Sequence, residues 1–173
     1  KRSGRFSLHG KEIADWVLPV LPGLGPKMER ILEAAALLSD IGWTEHPDYR
    51  ALHSFIRILR LPVAGITHHE RVLLAFAIFV RYDGRRNQYE VQQVRSLLSE
   101  QERQTAATMG VSLHLAHVLS GGVPGLLSRT SLGFSEGGIS LDLTSDRQLF
   151  SSSAVESIVR NLAKEIGVSY KIR

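Results

Sequence analysis

The sequence predicts a mainly α fold, a bundle of about six helices followed by a small β-β-α-β unit. Apolar residues recur at helical spacing through most of the first 120 positions. After Pro124-Gly125 the pattern changes to two short apolar segments on either side of Glu136-Gly137-Gly138. With 173 residues, 43% of them apolar, the chain is long enough to bury a core. We therefore expect a helical domain over residues 1–125 and a small αβ subdomain over 126–173.

The predicted helices of the first domain are segments in which apolar residues recur at helical spacing. Glycine and proline residues between these segments mark the helix ends. Gly42 follows the second helix as a C-cap candidate, and Pro62 ends the third. The fourth helix carries an almost wholly apolar run at 72–80, which predicts that it is central and buried. The predicted helices cover residues 10–22, 28–38, 48–60, 67–83, 91–98 and 99–119.

Three capping boxes mark helix starts, because a Ser or Thr followed three residues later by Glu satisfies free N–H groups at the first turn. They are Thr67 with Glu70, Ser99 with Glu102, and Ser153 with Glu156. The third box opens an amphipathic helix that ends at Gly167. Predicted strands at 130–134, 139–143 and 168–172 complete the β-β-α-β unit.

Composition limits the classes of function. The chain has no cysteine, which excludes a disulfide framework and thiolate chemistry. No apolar run reaches the roughly 20 residues that span a bilayer, and we expect a cytoplasmic protein without a membrane partner. The formal net charge of +4 is compatible with polyanionic partners and also with ordinary solubility charge. The absence of an initiating Met suggests a fragment of a longer protein.

The segment 37–42 resembles the metal-binding signature of HD-type phosphohydrolases, in which an apolar helix ends in His-Asp. In that signature the imidazole and the carboxylate bind one metal, which activates water. Here Ser39 stands in place of the His and only Asp40 is kept. A serine hydroxyl is a poor ligand for such a metal, so we predict a degenerate site without metal. The alternative for Asp40 is a helix-end residue that bonds to the following loop.

Histidines are the other candidate metal ligands. His9, His53, His68, His69 and Asp83 are the side chains that could converge near Asp40 and restore a site. His114 and His117 lie three residues apart on one predicted helix. That spacing fits a metal pair, but we favour chance placement on a solvated helix face.

Arginines cluster near the ends of two predicted helices. Arg57 and Arg60 lie near the end of the third helix, and Arg81, Arg85 and Arg86 near the end of the fourth. Guanidinium groups bind phosphate oxygens bidentately, so several together suit an extended polyanion. The alternative is that they complement the helix dipoles.

Three segments, taken in order, resemble the C-terminal region of the exopolyphosphatase / guanosine pentaphosphate phosphohydrolase family. They are residues 34–42, 53–59 (His-Ser-Phe-Ile-Arg-Ile-Leu) and 79–83 (Phe-Val-Arg-Tyr-Asp). The resemblance spans nearly the whole chain. Two departures stand out: Ser39 replaces the usual His, and Asp83 replaces the His that follows the family's Val-Arg-Tyr sequence. The resemblance implies an HD-domain-like helical bundle followed by a small αβ piece.

The resemblance also implies a division of labour. In the family, actin-like lobes that this chain lacks hydrolyse the terminal phosphoanhydride with Mg²⁺, so we expect no catalytic residue and no cofactor here. The C-terminal region helps to form a dimer and lines a basic channel that threads polyphosphate. The resemblance further implies that the parent enzyme binds polyphosphate or guanosine pentaphosphate. Our candidates for polyphosphate binding are His53, Arg57, Arg60, Arg81, Arg85 and Arg86; of these, only His53, Arg57 and Arg81 lie in matched segments.

Two other functions stay open. The first is a stand-alone, metal-dependent HD-type phosphohydrolase acting on nucleotides, against which Ser39 argues. The second is a nucleic-acid-binding helical module, which only the charge suggests. Aromatic side chains for base stacking are sparse among the arginines, apart from Phe55, Phe79 and Tyr82, and we do not expect nucleic acid as a partner.

Overall fold

The structure is a computed structural model, in which residues 4–143, 150 and 152–173 are described. It confirms the mainly α prediction, since the described residues form seven α-helices and one small three-stranded sheet. The helices are α1 (Gly4–Val17), α2 (Pro26–Leu38), α3 (Pro47–Leu59), α4 (His68–Arg81), α5 (Tyr89–Arg95), α6 (Glu100–Ser120) and α7 (Ser153–Ile166). The strands are β1 (Ser131–Ser135), β2 (Gly138–Asp142) and β3 (Ser169–Ile172).

The helix boundaries correct three predictions. α1 begins six residues before the predicted start and gives way to a 3₁₀ turn at Leu18–Val20. Ser39, not Gly42, is the C-cap of α2. The N-cap of α7 is Ser152, whose hydroxyl accepts from the Val155 N–H, so the third capping box was placed one residue too late. The boxes at Thr67 and Ser99 are confirmed.

Helix α4 is the centre of the bundle, as its apolar run predicts. Every side chain from 72 to 80 is buried, and the helix packs against α2, α3 and α6. At Gly110 of α6 a Cβ atom would lie 2.5 Å from the carbonyl oxygen of Ala77 on α4. A glycine is therefore required where the backbones of α4 and α6 approach.

The C-terminal sheet has the order β1-β2-β3. β1 and β2 pair antiparallel, with Gly133 opposite Ser140, while β2 and β3 pair parallel, with Ser140 opposite Lys171. α7 connects the parallel pair and packs against α6. The apolar core runs without a break from the bundle into this unit. The boundary at residue 125 stays a prediction. No helix among the described residues is long and apolar enough to cross a membrane.

The capping box of α6 provides a local test of the fold. The Ser99 hydroxyl accepts from the Glu102 N–H at 3.2 Å, and the Glu102 carboxylate accepts from the Ser99 N–H at 2.9 Å. We expect Ser99→Ala to lower the free energy of unfolding by about 1 kcal/mol, because the N–H of Glu102 loses its partner. Urea denaturation measures the change. Gln101→Ala, at an exposed position of the same helix, is the control and should cost almost nothing. Equal losses in both variants would contradict a capping role.

Candidate functional site

The ends of four helices and one face of α1 surround a pocket of about 250 Å³ next to Ser39 and Asp40. Its polar and aromatic lining comes from α1, the end of α2 and the following loop, α3, the end of α4 and the end of α6. The side chains concerned are His9, Ser39, Asp40, Trp43, Arg50, Arg81, Tyr82 and His117. The tertiary fold thus brings the sequence-predicted positions Ser39, Asp40 and Arg81 together.

Ser39 is fixed by two short hydrogen bonds. Its Oγ lies 2.6 Å from the carbonyl oxygen of Ala36 and 2.7 Å from Nε2 of His117. A hydroxyl has a single hydrogen. If that hydrogen goes to Ala36, the His117 ring donates through Nε2 and keeps a lone pair on Nδ1. Ser39 therefore has a structural partner at the position where the HD signature has a metal ligand.

Asp40 turns back into the bundle rather than bonding to the loop that follows it. Its Oδ1 lies 3.4 Å from Nη2 of Arg81 and 3.4 Å from Nδ1 of His117. Arg81, from α4, is the partner of Asp40. The Nδ1 of His117, from α6, only lies near the carboxylate, because it carries no hydrogen when Nε2 donates to Ser39. The helix-end interpretation of Asp40 does not describe these contacts. The carboxylate is the counter-ion of a buried arginine.

Arg81 is the most buried cation of the pocket. Its side chain is 12% exposed, and its guanidinium lies 4.2 Å from the ring centre of Tyr82. Burial lowers the pKa of Arg81, and the positive charge of Arg50 lowers it further. Tyr82 and Asp40 act in the opposite direction. The Nε of Arg81 is buried and has no hydrogen-bond partner among the residues that the structure describes. An unpaired buried donor costs about 1–3 kcal/mol, which makes Arg81 the side chain best placed to gain from an added acceptor.

His117 was assigned wrongly to a solvated face. It is 9% exposed, at the buried end of α6, and burial lowers its pKa to about 2, with Arg81 acting in the same direction. The ring is therefore neutral near pH 7. The apolar residues that surround it in sequence, Leu113, Leu115, Ala116 and Leu119, were the signal that this face of α6 is buried.

His9 is the one member of the predicted histidine set that lines this pocket. Its Nδ1 lies 3.1 Å from a Glu12 oxygen and its Nε2 lies 3.2 Å from the Ser120 hydroxyl. Its ring meets that of His117 edge-on, with 5.8 Å between the ring centres. The others lie elsewhere: His53 bonds to Glu45 and His69 to Glu102.

The donor set does not fit a metal ion. Within residues 4–143, 150 and 152–173, no group of three or more His, Asp or Glu side chains is arranged to hold one. Asp40 is the only carboxylate among the described residues of the lining, and its near oxygen already faces a guanidinium. Mg²⁺ requires several oxygen ligands. The residues present therefore give no basis for a step through Mg²⁺ in this domain.

The six predicted polyphosphate ligands do not share one surface environment. His53, Arg57 and Arg60 are exposed and lie along one face of α3 at i, i+4 and i+7, and we call them the basic stripe. Arg85 is exposed in the turn after α4. Arg81 lines the pocket, whereas Arg86 forms a bidentate ion pair with Glu165 of α7, at 2.7 and 3.1 Å.

Sequence reasoning missed two further side chains of the pocket. Arg50, on α3, directs Nε and Nη2 to the carbonyl oxygen of Glu45 at 3.3 and 3.1 Å, and its guanidinium lies 5.8 Å from the ring centre of Tyr82. Trp43 stands at the rim with 72% of its surface exposed. The available sequence signal was a tryptophan in the segment between the second and third predicted helices, where polar residues are expected.

Comparison with known proteins agrees with the order of motifs and with the fold. No curated protein matches the chain significantly. The family model described as "Exopolyphosphatase, C-terminal" matches residues 2–171 of the 173, which is nearly the whole chain and includes both the helical bundle and the small sheet. The chain therefore belongs to the exopolyphosphatase C-terminal domain family.

Proposed function

We propose that this chain is the accessory domain of an exopolyphosphatase-type enzyme, and that it binds and threads polyphosphate along the basic stripe. Hydrolysis of the terminal phosphoanhydride belongs to actin-like lobes outside these residues, with Mg²⁺. The proposal includes a homodimeric parent enzyme in the cytoplasm, with polyphosphate or guanosine pentaphosphate as its substrate. Family membership supports an exopolyphosphatase role, and the basic stripe is the observation that carries polyphosphate binding.

The geometry of the stripe suits a linear polyanion. Residues separated by seven positions on a helix are about 10 Å apart along its axis, since each residue rises 1.5 Å. His53 and Arg60 thus span several phosphate units, with Arg57 between them. The Arg57 Nη1 donates to the carbonyl oxygen of Ile41 at 2.9 Å, which fixes the side chain while it stays exposed. Glu45 holds His53 at 2.9 Å, so the arginines are the stronger anion ligands of the stripe.

Removal of both stripe arginines tests the proposal. We expect Arg57→Gln/Arg60→Gln to weaken binding of labelled long-chain polyphosphate. The slope of log affinity against log salt should fall by about 1.5, because two phosphate contacts no longer release counterions. Fluorescence anisotropy between 50 and 200 mM KCl measures both quantities.

A matched control separates local contacts from net charge. Lys11→Gln/Lys164→Gln removes two exposed positive charges on α1 and α7, and we expect a much smaller change in slope. If the slope and the affinity fall equally in the two double variants, polyphosphate binds through general electrostatic attraction and not through specific contacts with the stripe. Phosphate release from polyphosphate by the purified chain with Mg²⁺ would contradict the assignment of hydrolysis to other lobes.

A further inference from the structure

The pocket between the helix ends carries more positive than negative charge. Arg50 and Arg81 both line it, and Asp40 is the one carboxylate among the lining residues that the structure describes. The two rings that also line it, His9 and His117, add no negative charge, and His117 is neutral because burial lowers its pKa. The fold therefore holds two guanidinium groups close together with a single counter-ion.

Hydrogen-bond donors in the pocket outnumber the acceptors that meet them. The Nε of Arg81 is buried, and no described residue offers it an acceptor. The Tyr82 hydroxyl accepts the Gly42 N–H at 3.0 Å, which leaves its own hydrogen available for donation. The Asp40 carboxylate meets Arg81 through Nη2 alone, at 3.4 Å, which is a loose contact for an ion pair of such low exposure. An additional anionic acceptor would satisfy these donors.

The size and donor geometry of the pocket select a class of ligand. Its volume of about 250 Å³ is that of roughly eight water molecules at about 30 Å³ each. This is enough for a tetrahedral oxyanion with some of its hydration. Arginine forks match the paired oxygens of a phosphoryl group. We propose that this pocket binds a phosphoryl group, either free orthophosphate or the end of a polyphosphate chain, through Arg81, Arg50 and the Tyr82 hydroxyl.

Asp40 has a defined part in this proposal. Without ligand it neutralises Arg81, and a bound phosphoryl group takes over that role. The carboxylate then lies next to a second anion, so it weakens binding through repulsion in a site of low dielectric. Removal of its charge should strengthen binding. Removal of a cation should weaken binding, and these opposite signs distinguish a built anion site from a structural ion pair.

The site does not depend on the basic stripe, because its ligands come from the pocket and the stripe faces solvent. Orthophosphate reports on the pocket alone, while long-chain polyphosphate also reports on the stripe. The two proposals therefore fail separately: orthophosphate affinity tests the pocket, and the salt dependence of long-chain binding in Arg57→Gln/Arg60→Gln tests the stripe.

The experiment is calorimetric titration of the purified chain with orthophosphate and with tripolyphosphate, at one pH and constant ionic strength. We expect Arg50→Gln to weaken orthophosphate binding about tenfold, the effect of one charge-assisted hydrogen bond. Asp40→Asn, which keeps the side-chain size, should strengthen it several-fold. Arg160→Gln, an exposed change on α7 outside both the pocket and the basic stripe, is the matched control and should leave orthophosphate affinity unchanged. Arg57→Gln reports any orthophosphate that binds at the stripe instead. Circular dichroism verifies that each variant folds. If Asp40→Asn does not fold, Tyr82→Phe takes its place, and we expect Tyr82→Phe to weaken orthophosphate binding.

The outcomes divide cleanly. Orthophosphate binding that Arg50→Gln weakens and Asp40→Asn strengthens supports the pocket. If the affinity for tripolyphosphate changes by the same factors in these variants, the pocket binds a chain end as well as free orthophosphate. Absence of orthophosphate binding overturns the proposal. The highest concentration tested is 10 mM, on the order of the largest dissociation constant that such a phosphoryl site would have. Binding that responds to Arg57→Gln and not to Arg50→Gln overturns it too.

Discussion

Asp40→Ala is expected to lower the free energy of unfolding by roughly 3 kcal/mol, which is toward the lower end of the range for broken buried ion pairs. Arg81 is 12% exposed, so its charge cannot move into water when its partner is removed. Asp40 itself is 26% exposed, which reduces the loss. Chemical denaturation in phosphate-free buffer at pH 7 measures the change.

A second substitution separates the ion pair from other effects of the change at residue 40. Asp40→Ala/Arg81→Met removes both charges, and we expect it to recover most of the stability, because no unpaired charge is then buried. Asp15→Ala is the control for a surface pair. Lys11 and Asp15 are 78% and 64% exposed, and the loss there should stay below about 0.5 kcal/mol. A double variant as unstable as Asp40→Ala would mean that Asp40 acts through a contact other than Arg81.

The free energy of unfolding is expected to fall by about 1.4 kcal/mol for each pH unit below 6.5 on account of His117 alone. Burial lowers the pKa of this ring from 6.5 to about 2 in the folded state. Between those values the unfolded chain binds a proton at His117 that the folded chain does not bind. Stability is therefore greatest above pH 6.5 and is lost as the pH falls.

Between pH 6.5 and about 4.5, the change in the free energy of unfolding comes mainly from the histidines. The glutamates with lowered pKa, such as Glu100 and Glu102, begin to cost stability only below their usual value of 4.5. His114 contributes in the same direction, since burial lowers its pKa too. Urea denaturation across this window should show a shallower slope in His117→Gln, while Gln101→Ala, an exposed and non-titrating change, retains the wild-type slope. A wild-type slope in His117→Gln would contradict a neutral, buried His117.

Local sequence signals predicted most of the secondary structure. The boxes at Thr67 and Ser99 mark α4 and α6 because the capping hydrogen bonds form between residues three apart. The run at 72–80 identified the central helix, since a helix apolar on all sides needs neighbours on all sides. The third box was misplaced because Ser153 has Glu156 three residues later, whereas the actual cap is the adjacent Ser152, which is followed three residues later by Val155 and so does not match the pattern.

The arrangement of the site was less predictable. Sequence placed Ser39, Asp40 and Arg81 among the candidates, because each lies in a motif. It gave no means to pair Asp40 with Arg81, which are 41 positions apart, or Ser39 with His117, which are 78 apart. Arg81 was grouped with Arg85 and Arg86 by proximity in the chain, yet the three side chains have different surroundings.

By itself, the sequence determined the helical class, the small αβ end and the family to which the chain belongs. Those features follow from periodicity, capping and ordered motifs, all of which act over a few residues. Only the tertiary structure decided that Asp40, Arg81, His117 and His9 share one pocket and that the basic stripe stays at the surface. The reason is physical: burial and charge pairing depend on which helix ends meet, and packing of distant segments sets that.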